Sequence, residues 1–469
     1  MQPSGDRPVV ISFRIQHLLG WGITIFLCFV PVILYFNAHP IDQIHGFAPW
    51  MLTFGRLTGL VGMVMYALNL IYATRLRFLE FWFGGLNRVY IAHHLLGGFA
   101  LIMLAFHPML LAVRYVTSSL TQAALLLIPN GLTPVNALWL RTSDFHSAVL
   151  IQWGIFLGIV AFWGMVVLLL ITFFIKIPYN VWLFTHRFLG FAFFLAGLHV
   201  IILSSNASSS TPLKIYVLVM SLLGIVAFIY RSVVGKILIR KYKYQITGVE
   251  VAGGGVTHLT MMPVDMPMSY KAGQFVFIRI LDAPAQTGVN KERHPFTISS
   301  NPSDNSLRLS IKGLGDYTNQ LSKVQVGATA EVEGAYGKFT YSNYKNKNQI
   351  WVAGGIGITP FLSMAKDLPN TDYKIDLYYS VKTASELLDW RALNEMAVFK
   401  KPDFKIYPFV ADQQEGYLGV DYIEQHSGSL KDKDIFICGP PPMMASLRKQ
   451  FKDKSVPGTS IHTEEFGMS

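Results

Sequence analysis

The chain has 469 residues, enough for two to four domains. Apolar residues make up 52%, charged residues only 14%, and mean hydropathy is +0.38, which excludes a wholly soluble or disordered chain. Residues 1–240 carry 14 Lys/Arg against 4 Asp/Glu and residues 241–469 carry 25 against 24, so the net +11 belongs almost entirely to the apolar half. Those cations sit singly between apolar runs rather than clustered on a wetted face, which argues against a nucleic-acid surface and for a membrane. Two cysteines, Cys28 in an apolar run and Cys438 in the charged half, cannot build a disulfide framework.

In chain order, Arg7 and Arg14 precede an apolar stretch that resembles a signal peptide only superficially. No small-residue cleavage site follows, so a retained first helix is expected. Six stretches approach the roughly 20 apolar residues that cross a bilayer, near 17–36, 51–72, 89–113, 147–175, 184–203 and 213–233. One side of this array carries 10 Lys/Arg and the other 3, with Arg56 inside the second span. The excess predicts an integral plasma (inner) membrane protein with both termini in the cytoplasm.

Ionisable groups inside spans are costly and point to function. The third span reads His93-His94-Leu95-Leu96-Gly97 and continues to His107, and the fifth reads His186-Arg187-Phe188-Leu189-Gly190 and continues to His199. At about 1.5 Å per residue, each helix holds its two histidines roughly 20 Å apart, enough to stack two porphyrins across one bilayer. At about 100° per residue, His93 shares a face with His107 better than His94 does. His186 and His199 differ by about 140°, which a one-residue widening of a turn would repair. Arg56, in Gly55-Arg56-Leu57-Thr58-Gly59, is either a snorkelling cation or one that faces a haem propionate or an anionic product.

Beyond the basic run Arg240-Lys241-Tyr242-Lys243, short β-rich runs at 274–280, 294–299, 307–311 and 328–334 predict a small antiparallel barrel to about residue 345. From residue 348, apolar strands at 350–353, 375–381, 405–410 and 435–438 alternate with helical stretches and predict a parallel α/β sheet. Its first strand runs into Gly354-Gly355-Ile356-Gly357-Ile358-Thr359-Pro360, a turn suited to pyrophosphate, with Thr359 placed to cap and Pro360 at the first helical position. A later strand ends in Cys438-Gly439-Pro440-Pro441-Pro442-Met443. Both motifs lie at carboxyl ends of strands and are expected to line one crevice.

The four histidines, the segment His294-Pro295-Phe296-Thr297-Ile298-Ser299-Ser300, the glycine turn and the Cys-Gly-Pro-Pro-Pro-Met run, in this order over nearly the whole chain, resemble the ferric reductase / NADPH oxidase family. The resemblance implies three domains: a six-helix all-α membrane bundle with two b-type haems (1–239), an antiparallel β-barrel flavin domain (240–346) and a parallel α/β nicotinamide domain (347–469). It implies His93 and His186 as inner-haem ligands and His107 and His199 as outer-haem ligands. His294, Pro295, Phe296 and Thr297 become the FAD-binding segment, and Gly315, Asp316, Tyr317 and Thr318 the flavin phosphate turn. NADPH falls to Gly354, Gly355, Gly357, Thr359, Pro360, Gly439, Pro440 and Met443, with Lys382 on the 2′-phosphate. Cys438 and Phe466 stand at the hydride-transfer centre, Phe466 as the aromatic that covers the isoalloxazine. Ala335, in Gly334-Ala335-Tyr336-Gly337, departs from the family's usual proline, and no EF-hand loop is present. The expected activity is electron transfer from cytosolic NADPH to an outer acceptor. An apolar outer loop near 114–146 and Arg56 favour dioxygen, giving superoxide; ferric-chelate reduction is the alternative, helped by His39, Asp42, His45, Asp144 and His146. From another class, a membrane-anchored flavin reductase with a haem-free membrane domain competes.

Overall fold

The computed structural model describes residues 13–128, 148–175, 177, 179–207, 210–235, 239–282, 288–370, 372–400, 403–414 and 416–464. Phe466, Arg7, Arg141, Asp144 and His146 lie outside them. Two compact units divide the chain, Met1–Leu238 and Ile239–Ser469.

Among the described residues of the first unit, six helices are long and apolar enough to span a membrane. They are α1 (Phe13–Ala38), α2 (Phe47–Tyr72), α4 (Leu86–Val113), α6 (Ala148–Phe174), α7 (Tyr179–Ala207) and α8 (Thr211–Ile229). Two short helices join them, α3 (Arg77–Phe83) and α5 (Leu120–Leu125). Much of the surface is large and apolar, with Phe26, Phe99, Phe174, Phe184 and Leu222 exposed, as a lipid-facing bundle requires. The helices pack in pairs, α2 along α4 and α6 along α7, with α8 against α2 and α7. Small residues let the pairs approach: a Cβ on Gly55 would meet Leu111 at 2.8 Å, and one on Gly62 would meet Leu104 at 2.8 Å.

The second unit opens with a curled antiparallel sheet. Its strands are β1 (Lys241–Ala252), β2 (Val256–Pro263), β3 (Phe275–Ile280), β4 (His294–Thr297), β5 (Leu307–Lys312) and β6 (Thr329–Tyr336), in spatial order β4-β3-β6-β1-β2-β5. A bridge between Ile298 and Leu309 ties the two edges together around a core of Ile246, Leu259, Val276, Ile278 and Val332. Pro295, which has no N–H to give, sits in edge strand β4. The β1–β2 hairpin was not anticipated from sequence, and Lys241 and Lys243 belong to it. Tyr244 is buried while Lys243 stays exposed, a strand alternation hidden by the run of charge.

Five parallel strands follow, β7 (Asn348–Gly354), β8 (Lys374–Val381), β9 (Phe404–Val410), β10 (Asp434–Cys438) and β11 (Ile461–Glu464), in order β11-β10-β7-β8-β9. Strand β7 is buried on both faces, with Trp351 in one core and Ile350 and Val352 in the other, as a sheet covered on two sides demands. The crossover helices include α10 (Thr359–Asp367) and α13 (Pro441–Asp453). Two shorter helices in this unit, α9 (Asp316–Gln320) and α11 (Trp390–Glu395), matter below; α12 is Val420–Ser427.

Candidate electron-transfer and nucleotide sites

The four span histidines meet as two pairs. His93 on α4 faces His186 on α7 with ring centres 6.3 Å apart, and His107 faces His199 at 6.4 Å. Within each pair the rings are near perpendicular, at 74° and 78°. Three rings are tied back to main-chain carbonyls of neighbouring helices. His93 Nδ1 donates to Asn69 O at 3.0 Å, His107 Nδ1 to Gly55 O at 2.7 Å and His199 Nδ1 to Gly154 O at 2.7 Å. The Nδ1 of His186 has no such acceptor; its ring instead stacks on Trp182 at 4.9 Å and 17°. The widened turn expected between His186 and His199 is not formed: α7 is regular α-helix throughout, and the two rings leave it with different surroundings. His94 is exposed and outside both pairs. Arg56 is half-buried on α2, one residue beyond the carbonyl that holds His107.

In the curled sheet the two flavin motifs come together. The His294 ring stacks on Tyr317 of α9 at 3.8 Å and 21°, and Phe296 lies near parallel to Tyr317 at 6.4 Å. Three buried polar atoms here have no hydrogen-bond partner: His294 Nε2, Tyr317 OH and Gln320 Oε1. Glu292 lies 3.6 Å from His294 Nε2, beyond hydrogen-bond range. Burial lowers the His294 pKa, with Glu292 opposing, and burial pushes the Tyr317 phenol up. Thr297 is buried beside them. Thr318 works locally: its hydroxyl accepts from Leu314 N at 2.9 Å and Gly315 N at 3.0 Å, and so holds the Gly315 turn itself. Gln320, one turn beyond Tyr317, was missed from sequence; its i+3 spacing on a short helix was the available signal.

At the sheet's carboxyl edge, the turns after β7 and β10 touch backbone to backbone. A Cβ on Gly439 would lie 3.1 Å from Gly354 Cα, one on Gly354 would lie 2.5 Å from Met443 Sδ and 2.9 Å from Pro440 Cδ, and one on Gly357 would meet the Cys438 carbonyl. These glycines serve packing between the motifs. Gly355 is different: its φ is +53° and open space surrounds it. Thr359 does not cap as expected. It is the first residue of α10 and its hydroxyl donates back to Ile356 O at 3.1 Å, because a 3₁₀ turn over 355–358 supplies the helix entry, with Pro360 just behind. Cys438 is fully buried, and burial, with the Glu464 carboxylate beside it, drives its thiol well up, so it stays protonated. Lys382 is exposed after β8, and its backbone N–H donates to Glu386 Oε2 at 3.2 Å.

The curled sheet is pinned to the parallel sheet by a polar cluster that sequence reading missed. Arg308 on β5 makes a bidentate pair with Asp389 at 2.6 and 3.0 Å, Lys366 Nζ donates to Ser299 O at 3.1 Å, and Ser363 Oγ donates to Ser300 O at 2.6 Å. Asp389 adopts a left-handed φ of 50° just before α11.

Three family descriptions match consecutive parts of the chain: "Ferric reductase like transmembrane component" at 58–198, "FAD-binding domain" at 241–357 and "Oxidoreductase NAD-binding domain" at 351–449. The chain has the ferric reductase and NADPH oxidase architecture. It joins a ferric reductase-like membrane component to FAD- and NAD-binding domains, and it spans less than two thirds of the length of the first curated relatives it matches. The chain is 34% identical over 138 residues to Dual oxidase 2 of Rattus norvegicus, a match covering 28% of this chain and 9% of that protein. It is 29% identical over 217 residues to the glycine betaine monooxygenase reductase subunit of Chromohalobacter salexigens, covering 43% of this chain and 57% of that one. Among solved structures, phthalate dioxygenase reductase aligns at 22% identity and TM-score 0.40, covering 48% of this chain and 68% of that one.

Proposed function

We propose that this ferric reductase-type chain moves electrons from cytosolic NADPH through FAD and two b-type haems to dioxygen on the far side of the membrane, releasing superoxide. The observation that carries the reading is the pair of facing imidazoles at each of two levels. An iron bonded at about 2.0 Å to two opposed imidazole nitrogens, each about 1.1 Å from its ring centre, separates the centres by about 6.2 Å; the observed spacings are 6.3 and 6.4 Å. Among the described residues no third His, Cys, Asp or Glu joins either pair. Each pair thus suits a metal that brings its own equatorial ligands, as a porphyrin does.

FAD held in the second unit would supply hydride acceptance and one-electron release, and haem held between two imidazoles would supply one-electron relay. The residues of the chain hold and orient. His93 with His186, and His107 with His199, would hold the two haems; the carbonyls on three Nδ1 edges fix the tautomer that leaves Nε2 free to ligate. The orphaned atoms of His294, Tyr317 and Gln320 are the FAD partners, beside Pro295, Phe296 and Thr297, with Gly315, Asp316 and Thr318 shaping the adjoining turn. Gly355 opens its turn to the pyrophosphate of NADPH, Lys382 meets the 2′-phosphate, and Gly354, Gly357, Thr359, Pro360, Gly439, Pro440 and Met443 build the crevice beside Cys438. The assignments follow domains 1–239, 240–346 and 347–469, and the Lys/Arg bias sets both termini in the cytoplasm at the plasma (inner) membrane.

Dioxygen is favoured by the far-side chemistry. The turn behind helix α5, Leu126-Leu127-Ile128, is apolar and held on α6 by Trp163 Nε1 donating to Leu127 O at 2.7 Å, and a small dry acceptor suits such a cover. Among the described residues His39, Asp42 and His45 do not gather into a metal-binding group, Asp144 and His146 lying outside those residues. Arg56 supplies the cation for nascent superoxide, the net reaction being NADPH + 2 O₂ → NADP⁺ + H⁺ + 2 O₂⁻. The test is NADPH-driven turnover in proteoliposomes, scored by superoxide dismutase-sensitive cytochrome c reduction beside anaerobic ferric-chelate reduction. Superoxide output that falls in Arg56→Ala is expected. Fast anaerobic ferric reduction with negligible superoxide overturns the acceptor, and purified protein without haem overturns the whole path.

A further inference from the structure

Two glycines contact the histidines of one level only. An ideal Cβ built on Gly59 would lie 2.5 Å from His107 Nδ1, 2.8 Å from Cε1 and 3.0 Å from Cγ. One built on Gly158 would lie 2.5 Å from His199 Nδ1 and 2.7 Å from Cε1. Such approaches are impossible, so each ring occupies space that any other residue would fill.

The same ring edge is also the hydrogen-bonded one. His107 donates to the carbonyl of Gly55, four residues before Gly59, and His199 donates to the carbonyl of Gly154, four residues before Gly158. On α2 the arrangement is Gly55-Arg56-Leu57-Thr58-Gly59, and on α6 it is Gly154-Ile155-Phe156-Leu157-Gly158. In each, the first glycine supplies the acceptor and the second, one helical turn on, supplies the room. The other level is built differently: His93 donates to Asn69 O, and His186 Nδ1 has no partner. Gly-x-x-x-Gly in a span ordinarily means close helix packing. Gly62, outside that motif, serves only such packing, since its Cβ would meet Leu104 and no imidazole.

Resting on the two-haem reading above, we infer that Gly59 and Gly158 are positioning residues for the ligands of one haem. They hold the His107 and His199 rings at their near-perpendicular 78° and keep both Nδ1–H···O=C bonds intact. A methyl group at either position pushes the ring off its carbonyl and turns its plane about the iron–nitrogen axis. Ring orientation sets the anisotropy of the low-spin ferric signal, and loss of the Nδ1 hydrogen bond lowers ligand basicity and so raises the midpoint potential.

The experiment uses the full chain in detergent, with haem content by difference spectroscopy, electron paramagnetic resonance of the oxidised protein and a redox titration. His107→Ala identifies which signal belongs to that level. In Gly59→Ala and Gly158→Ala that signal should lose anisotropy and titrate at higher potential, or be lost, while the other signal keeps its position. Gly62→Ala should leave both signals in place. The inference is overturned if the assigned signal is unchanged in Gly59→Ala and Gly158→Ala, if both signals change alike or vanish together, or if Gly62→Ala produces the same shift. Failure of the two-haem reading is separate, because it shows in the wild-type chain as missing haem.

Discussion

In the membrane unit, four imidazoles face each other across two gaps with three Nδ1 edges already bonded to carbonyls, whereas in the FAD- and NAD-binding unit His294 and Tyr317 lie face to face with their polar atoms left over. A span must satisfy its polar groups from within, so there the bonded edge of a ring marks the opposite edge as the working one. A barrel domain has water and backbone close at hand, so there the buried atom that found no partner marks the ligand. The two units are therefore read by opposite signs.

The largest expected effect breaks the comparison at the histidine pairs. His107→Ala should halve the haem content, with flavin reduction by NADPH intact, while exposed His94→Ala should keep both haems; a pyridine haemochrome assay with stopped-flow flavin bleaching checks both. Next, Lys382→Ala should raise KM for NADPH about ten- to a hundredfold and barely change that for NADH, a charge-assisted contact being worth about 1.5–3 kcal/mol. Equal effects in steady-state kinetics would remove Lys382 from the 2′-phosphate. His294→Ala should weaken FAD by about 2 kcal/mol, through lost stacking and a lost donor, and Tyr317→Phe by about 1 kcal/mol, both read by flavin-fluorescence titration. Unchanged affinity in both would mean that orphaned atoms do not mark the ligand in this unit.

The smallest effect is on pH dependence. Burial, followed by the Arg308 charge, lowers the pKa of His258; Lys366 adds to this, and Asp389 and Glu250 oppose it. His258 Nδ1 lies 2.8 Å from Ser310 Oγ. With a folded pKa below the unfolded value of about 6.5, the unfolded chain binds the proton first as pH falls. Stability is therefore full above about pH 6.5 and declines below it until the folded pKa is reached. His258→Gln should flatten that decline, by about 1 kcal/mol or less between pH 7.5 and 5.5, in thermal unfolding followed by flavin release from the intact chain.

The spans were legible because twenty apolar residues in a row have few other uses, and the two histidine levels because helical rise turns sequence spacing into depth. The strand-end turns were legible because Gly354 and Gly439 interrupt apolar strands. The β1–β2 hairpin was not, since Lys241 and Lys243 masked a period-two pattern that Tyr244 and Ile246 betray by being buried. Thr359 was misread as a cap because its spacing before Pro360 is the same whether the preceding turn is extended or 3₁₀. The Arg308–Asp389 pair joins residues 81 apart in sequence, and no local pattern announces a contact made by tertiary folding.

The contact between Gly354 and Gly439 ties together two positions far apart in the chain. Each would-be Cβ collides with the opposite turn, the first with Met443 Sδ and Pro440 Cδ, the second with Gly354 Cα. A side chain introduced at either position must therefore be matched by retreat at the other, so neither motif drifts alone. In a library randomised at 354, 439 and 443 and selected for NADPH-dependent flavin reduction, survivors lacking glycine at 354 should carry a smaller residue than methionine at 443. Tolerated substitutions should thus arrive as linked sets, and a single-position scan should record each site as rigid when the true unit of tolerance is the pair of turns.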